Sequence, residues 1–190
     1  MKLLHKNLIK TFIYFLPLAA TITLLCGLIY TEIQQNLRMS ANDPQIQIAE
    51  DYASLLTNGT NPQFLVPQLK IDISKSLGPY VIIFNENGDA ILSSAILDNK
   101  IPTPPKSVFD SVKKYGETRI TWQPKIGVRS ATVITRFTGA KPGFILAGRS
   151  IREVEIREDN ALKITFLGWI VTMAAGFITV FLSLKLASKA

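Results

Sequence analysis

Cysteine and histidine are almost absent from the sequence. The chain of 190 residues contains one cysteine, Cys26, and one histidine, His5. A single cysteine excludes an intramolecular disulfide, and one residue of each type is too few for a Cys/His metal site. The sequence also lacks a glycine-rich phosphate loop and a nucleophile elbow. We therefore expect no enzymatic activity, no metal and no cofactor.

Charged residues are missing from two long stretches. Residues 11–30 and 164–184 contain no Asp, Glu, Lys or Arg, and each covers roughly the 20 residues that a helix needs to cross a bilayer. They predict two transmembrane helices on either side of a polar block, residues 31–163. An N-terminal signal that is cleaved, or acylated at Cys26, is the alternative. Leu25 argues against it, because processing requires a small residue at that position.

Acidic residues are missing from both ends of the chain. The two tails, residues 1–10 and 185–190, carry five lysines and no Asp or Glu. The formal charge of +7 therefore arises mostly at the tails and does not indicate nucleic-acid binding. Lysine-bearing tails stay in the cytoplasm, whereas a long loop is translocated largely regardless of its charge. We predict a two-pass protein of the inner or plasma membrane, with both termini cytoplasmic and the polar block outside.

The polar block begins with a helical pattern. Asp43 is a suitable N-cap for a helix that starts at Pro44, and Gly59 gives a stop signal. Between them, apolar residues recur along one helical face. We therefore expect residues 31–57 to extend the first transmembrane helix outward, and we leave open a break near Asn42.

The rest of the polar block has the pattern of an antiparallel sheet. The segments "PYVIIF" and "AILSS" flank the turn sequence "NENGD" and predict a hairpin. The proline-rich residues 95–105 predict a loop, and "PPKSVFDSVKKYG" predicts a short helix. Three further strands, "ETRITWQP", "VRSATVITRF" and "GFILAGRSI", precede a charged helix that continues into the second span. We predict an α+β domain with a five-stranded antiparallel sheet that is covered on both faces.

A family resemblance follows from the hairpin "VIIFNENGDAILSS" and its surroundings. The residues that carry it are Ile83, Phe84, Gly88, Ser93 and Ser94. With a helix leading out of the membrane and an exit helix continuous with a second span, the arrangement resembles the extracytoplasmic Cache or PAS-like input domains of bacterial sensor kinases and chemoreceptors. The resemblance implies a sensory module of a two-component or related pathway. An exported domain without disulfides also fits a bacterial or archaeal surface more easily than a small eukaryotic ectodomain.

Four residues on the predicted strands are candidates for binding a ligand. They are Tyr80, Trp122, Arg129 and Arg149. An aromatic wall and a guanidinium together suit a small carboxylate or an amino acid, because the rings exclude water and arginine binds a carboxylate at two points. Alternatively, Trp122 is a core residue, and Arg149 pairs with an acid of the following helix.

Small residues recur every four positions in both apolar stretches. They are Ala19, Thr23 and Gly27 in the first, and Gly168, Thr172 and Gly176 in the second. Such stripes let helix backbones approach closely within a membrane. The sequence leaves open whether they pack within one chain, across a homodimer or against another membrane signalling partner, and such residues are also common in membrane helices generally. Pro17 is expected to kink the first helix.

These observations give one leading hypothesis for function and one alternative. The leading hypothesis is an extracytoplasmic sensory input domain that binds a small molecule or a partner protein and transmits the change through the second membrane helix. The chain is then either the input part of a longer receptor or a subunit that signals through a partner. The alternative is a structural or accessory subunit of a bacterial envelope complex.

Overall fold

The computed structural model describes the backbone of residues 2–187 and the side chains of residues 8–187. The predicted roles of Lys2, Lys6 and Lys189 in fixing the topology therefore lie outside the described side chains. The elements in chain order are α1 (Lys2–Thr57), a short 3-10 helix (Pro62–Phe64), β1 (Ile71–Asp72), β2 (Tyr80–Asn85), β3 (Ala90–Ser93), β4 (Ala95–Ile96), α2 (Lys106–Tyr115), β5 (Glu117–Lys125), β6 (Val128–Phe137), β7 (Gly143–Ser150) and α3 (Arg152–Ala187).

The chain divides into two compact units. The sheet unit contains Leu37–Glu155, and the helical unit contains the described residues up to Asn36 together with those from Ile156 onward. The last part of α1 and the first turn of α3 thus belong to the sheet unit.

A five-stranded antiparallel sheet forms the centre of the sheet unit. Its strand order is β3-β2-β7-β6-β5, and β1 and β4 form a separate two-stranded parallel pair. Strand β2 pairs with β7 along its whole length, from Tyr80 opposite Gly148 to Asn85 opposite Gly143. The predicted α+β class, the long N-terminal helix and the five-stranded antiparallel sheet are confirmed.

Helix α1 covers one face of the sheet, which we call the α1 face. Its residues Ala49, Ala53 and Leu56 are buried in one apolar cluster with Ile83 and Phe137 of the strands. Side chains three and four positions apart share one side of a helix, so this spacing aligns a single apolar stripe with the sheet. The two alanines allow the helix backbone to approach the sheet closely.

Helix α2 covers the opposite face, which we call the α2 face. Phe109 and Val112 are its buried residues, and the ring of Phe109 lies 5.0 Å from that of Phe84 and 5.1 Å from that of Phe144. Gly88, in the β2–β3 turn, has φ +84°, and a Cβ there would lie 3.0 Å from the Phe109 ring. Glycine is therefore required at this turn both by the backbone and by the ring. The sheet is covered on both faces, as expected.

Two predictions for the ends of these elements need correction. Residues 31–57 extend the first apolar helix, as expected, but the helix-start signal at Asp43 and Pro44 does not mark an end, because α1 runs through both residues without a break. Proline there removes one ladder hydrogen bond, and the packing of the following helical turns on the sheet outweighs that loss. The proline-rich stretch 95–105 is not loop throughout, since it begins with β4 and contains a bridge between Leu97 and Lys100.

The helical unit is built from the two predicted apolar segments. Both α1 and α3 are long and apolar enough to cross a membrane. Within this unit the ring of Phe177 lies 5.3 Å from that of Phe12 and 5.5 Å from that of Phe15. The indole N–H of Trp169 donates to Thr23 Oγ1 at 3.0 Å. Aromatic ring contacts and the Trp169–Thr23 hydrogen bond therefore connect the two helices within this unit.

Candidate functional site

The four predicted ligand-binding residues lie on opposite faces of the sheet. Tyr80 and Trp122 are buried in the apolar cluster of the α2 face. Arg129 and Arg149 alternate with buried residues of β6 and β7 and point to the α1 face, where both are exposed. The structure therefore does not bring the aromatic rings and the arginines to one place. Binding of a small carboxylate or amino acid by these residues stays a prediction.

Tyr80 is the most confined of the four residues. It is 1% exposed, and its ring lies over Gly148 on the neighbouring strand. A Cβ at position 148 would lie 2.5 Å from the tyrosine hydroxyl oxygen and 2.7 Å from a ring carbon, so only glycine leaves space for this ring. Burial raises the pKa of the Tyr80 phenol, and the nearby hydroxyls of Ser130 and Thr132 offset this only in part. Tyr80 is accordingly neutral at physiological pH.

The hydroxyls of Tyr80, Ser130 and Thr132 form what we call the hydroxyl centre. Although the three groups are close, neither the Tyr80 hydroxyl nor Ser130 Oγ makes a hydrogen bond of normal geometry within the described part of the chain. Thr132 Oγ1 donates to the Ser130 carbonyl over a long 3.4 Å. A buried polar group without a partner costs about 1–3 kcal/mol. The hydroxyl centre therefore has hydrogen-bonding capacity that the other described residues do not use.

Trp122 is the large aromatic residue on the strand beside the hydroxyl centre. It lies opposite Ser130 in the β5–β6 pairing and is 7% exposed. The alternative that Trp122 is a core residue agrees with this burial. A large ring beside unpaired hydroxyls also keeps bulk water away from them, which strengthens any hydrogen bond that forms there.

A second group of polar contacts joins the sheet to the first turn of α3, and we call it the α3 junction. Arg129 of β6 forms an ion pair with Glu155 of α3, and the Ile151 N–H donates to the Arg129 carbonyl at 3.1 Å. Glu155 lies in the first helical turn, where a negative charge also complements the helix dipole. Glu155 is therefore paired with Arg129, and a pairing of Arg149 with another acid of the exit helix stays a prediction.

Arg149 and Arg152 extend the α3 junction to residues 73–77, which we call the segment after β1. Arg149 Nε donates to the Leu77 carbonyl at 3.0 Å, and an Arg152 guanidinium N–H lies 3.5 Å from the Lys75 carbonyl. The segment after β1 also carries Ile73, which is 2% exposed in the apolar cluster of the α2 face. One segment thus contacts both the α2-face core and the residues that begin α3.

Asp72 fixes the turn that presents these carbonyls. The hydroxyl and the backbone N–H of Ser74 donate to Asp72 Oδ1 at 2.6 and 3.0 Å, and the backbone N–H groups of Lys75 and Ser76 donate to the Asp72 carbonyl. The hydrogen bonds from Ser74 are the main reason that the pKa of Asp72 is lowered. Our prediction missed this turn, although the Asp-x-Ser pattern is a known signal for it.

The six small residues of the apolar helices have different surroundings. Thr23 accepts the Trp169 hydrogen bond, and a Cβ at Gly176 would lie 3.1 Å from Leu18. Thr23 and Thr172 also donate to the carbonyls of Ala19 and Gly168, one turn earlier in their own helices. A Cβ at Gly27 or Gly168 would meet no described atom within 4 Å. Gly27 lines an apolar groove of about 260 Å³ together with Cys26, Tyr30 and Trp169.

The chain was also compared with known proteins. No family model matches it, and no curated protein matches it significantly. Within the described residues, no three His, Cys, Asp or Glu side chains are close enough together to hold a metal ion. The groups that could form a site are the hydroxyl centre and the α3 junction, whose side chains offer hydrogen bonds and charges.

Proposed function

We propose that this protein is a membrane-anchored sensory input module whose sheet unit lies outside the cytoplasm, in the manner of Cache or PAS-like domains. The occupant of the hydroxyl centre, a small polar molecule, changes the position of β6 and of the segment after β1. That change passes to the first turn of α3 and along this helix into the membrane. Both chain termini are cytoplasmic in this proposal, as the lysines of the tails favour.

The observation that carries the proposal is the adjacency of Ser130 and Arg129 on β6. Ser130 points to the α2 face and belongs to the hydroxyl centre, whereas Arg129 points to the opposite face and pairs with Glu155. A shift of β6 that satisfies Ser130 therefore also moves the ion-pair partner of α3. A ligand shifts a protein between two conformations only if its contacts differ between them. A small displacement of a helix is a common form of such a shift.

The segment after β1 gives the proposal a second physical connection. Ile73 packs in the α2-face core, and the carbonyls of Lys75 and Leu77 accept hydrogen bonds from the arginines of the α3 junction. Repacking around the hydroxyl centre would reach α3 by this route as well. Two separate connections between one core and one helix favour transmission over a purely structural role.

A structural or accessory role is the second candidate, and one observation favours it. The interior of the α2 face is filled by the chain's own large side chains, since Tyr80, Phe84 and Phe144 are each at most 1% exposed. A core of this kind needs no ligand to be stable. The two functions therefore differ in whether any small molecule stabilises the folded protein.

A ligand screen on the full chain in lipid nanodiscs tests the proposed function. The compounds are amino acids, small carboxylates and small neutral polar molecules. A true ligand at about 100 times its dissociation constant should add about 2.7 kcal/mol of stability. It should also change the distance between spin labels at Asn87→Cys and Lys163→Cys in a Cys26→Ser background. If no compound stabilises the protein or moves the labels, the structural role is the better account.

A further inference from the structure

A separate cavity of about 370 Å³ lies on the α1 face of the sheet. It is bounded by the end of α1, by residues 59–62 and by the β6–β7 turn. Its floor is formed by Leu56, Ile83 and Phe137, which are at most 7% exposed. Because the hydroxyl centre faces the other side of the sheet, this cavity is a different place in the fold. Its volume is in the range of small-molecule sites, which is about 300–1,000 Å³.

The cavity carries one positive charge. Lys141 is the charged residue among those that line it, and no Asp or Glu side chain is part of the described lining. Lys141 makes no ion pair or hydrogen bond with another described residue. An ammonium group beside an apolar floor attracts an anion, because a carboxylate gives it a charge-assisted partner that the protein itself does not supply.

The end of α1 beside the cavity is capped by backbone hydrogen bonds. The backbone N–H groups of Gly59 and Thr60 donate to the carbonyls of Leu56 and Leu55 at 3.1 and 3.0 Å. This is a Schellman ending, in which Gly59 has φ +88° and the carbonyls of Leu55 and Leu56 are satisfied. The polar side chains in the lining at this wall are those of Thr60 and Asn61, and Asn61 Oδ1 accepts the N–H of Gln63.

The turn that carries Lys141 is fixed in place before any ligand binds. The Thr138 N–H donates to Thr57 Oγ1 at 3.2 Å, and a Cβ at Gly139 would lie 2.9 Å from the Thr57 carbonyl oxygen. The β6–β7 turn therefore contacts the end of α1 directly. A preformed cavity loses less conformational entropy on binding than one that must be assembled.

We propose that this cavity binds a small monocarboxylate with an apolar body. The carboxylate pairs with the Lys141 ammonium and accepts a hydrogen bond from the Asn61 amide. The hydrocarbon part lies against Leu56, Ile83 and Phe137, where it is removed from water. The proposal does not depend on signalling through α3, because the site is on the opposite face from the hydroxyl centre.

Calorimetric titration of the full chain in nanodiscs tests this site. The probes are phenylacetate and 4-methylpentanoate, and their neutral amides serve as ligand controls. We expect the acids to bind and the amides to bind much more weakly. Lys141→Gln should weaken binding of the acids about ten- to hundredfold, as expected when a charge-assisted contact is lost. Lys141→Arg should retain most of the affinity, and Lys100→Gln, an exposed lysine outside the cavity, should retain all of it.

A second variant tests the position of the apolar body. Ile91 lies at the rim of the cavity and is 54% exposed, so Ile91→Ala should fold normally and bind the acids several-fold more weakly. The proposal is overturned if neither acid binds at millimolar concentration, or if Lys141→Gln binds them as well as the unchanged protein does. The titration does not use the spin labels that test the sensory function. A negative titration therefore refutes the carboxylate site without refuting the sensory function.

Discussion

Removal of the Tyr80 hydroxyl should not destabilise this protein. The hydroxyl is buried and makes no hydrogen bond of normal geometry with a described residue. Leaving such a group unpaired costs about 1–3 kcal/mol, whereas the ring provides most of the packing. Tyr80→Phe keeps the ring over Gly148 and removes only the oxygen. We expect the variant to be neutral or up to about 1 kcal/mol more stable, because a small void partly offsets the gain.

The assay for this prediction is denaturant unfolding of the full chain in detergent micelles. Trp169→Phe serves as the background, so that the fluorescence reports Trp122, which lies opposite Ser130 of the hydroxyl centre. Tyr115→Phe is the matched control, since Tyr115 is 69% exposed and its hydroxyl is free to bond to water. A loss of about 1 kcal/mol or more in Tyr80→Phe would refute the reasoning, because it would mean that the hydroxyl already has a good partner.

Three further predictions concern other parts of the sheet unit. Gly148→Ala should destabilise the protein by about 1–3 kcal/mol, the usual cost of overpacking, because the new methyl group collides with the Tyr80 ring. In the same unfolding assay, the double variant Gly148→Ala with Tyr80→Leu should recover part of the lost stability. Asp72→Ala should destabilise the protein at pH 6, because the hydrogen bonds from Ser74 favour the ionised form of Asp72. The difference in stability between the variant and the unchanged protein should shrink as the pH falls through the lowered pKa of Asp72. Unfolding curves at several pH values measure this difference, and a difference that persists at low pH would contradict the assigned cause. In intact cells, a membrane-impermeant maleimide should label Asn87→Cys, and a label that appears only after lysis would place the sheet unit in the cytoplasm.

Most of the fold could be predicted because its signals are local. Runs without charge indicated the two apolar helices, and the turn sequence around Gly88 indicated the first hairpin. Helix α1 was misjudged at Pro44 because capping signals are local, whereas the packing of Ala49 and Ala53 on the sheet is not. Strands β1 and β4 have two residues each, which is too short for a periodic pattern to show.

The site was harder to predict than the fold, since it depends on strand register. Alternation within one strand gives the face of a residue only relative to its neighbours in that strand. Tyr80 and Trp122 share a face, and Arg129 and Arg149 share the other, only because of the pairing through β6 and β7. Ser130 carried a usable signal that we missed, because a hydroxyl residue inside an apolar strand often marks a polar group within a core.

The central claim is that the sheet controls α3 through the ion pair between Arg129 and Glu155. The most direct measurement is the distance between spin labels at Asn87→Cys and Lys163→Cys, in the full chain in nanodiscs with Cys26→Ser. Exposed ion pairs contribute only about 0–1 kcal/mol, so reversing one charge should change geometry without unfolding the protein. The Arg136–Glu86 pair is a matched control, since its side chains are similarly exposed.

The account predicts that Arg129→Glu shifts or broadens the distance distribution and that Arg129→Glu combined with Glu155→Arg restores it. Arg136→Glu should leave the distribution unchanged. The same distribution in all four proteins, or an equal shift with Arg136→Glu, would contradict the claim that this ion pair links the sheet to α3.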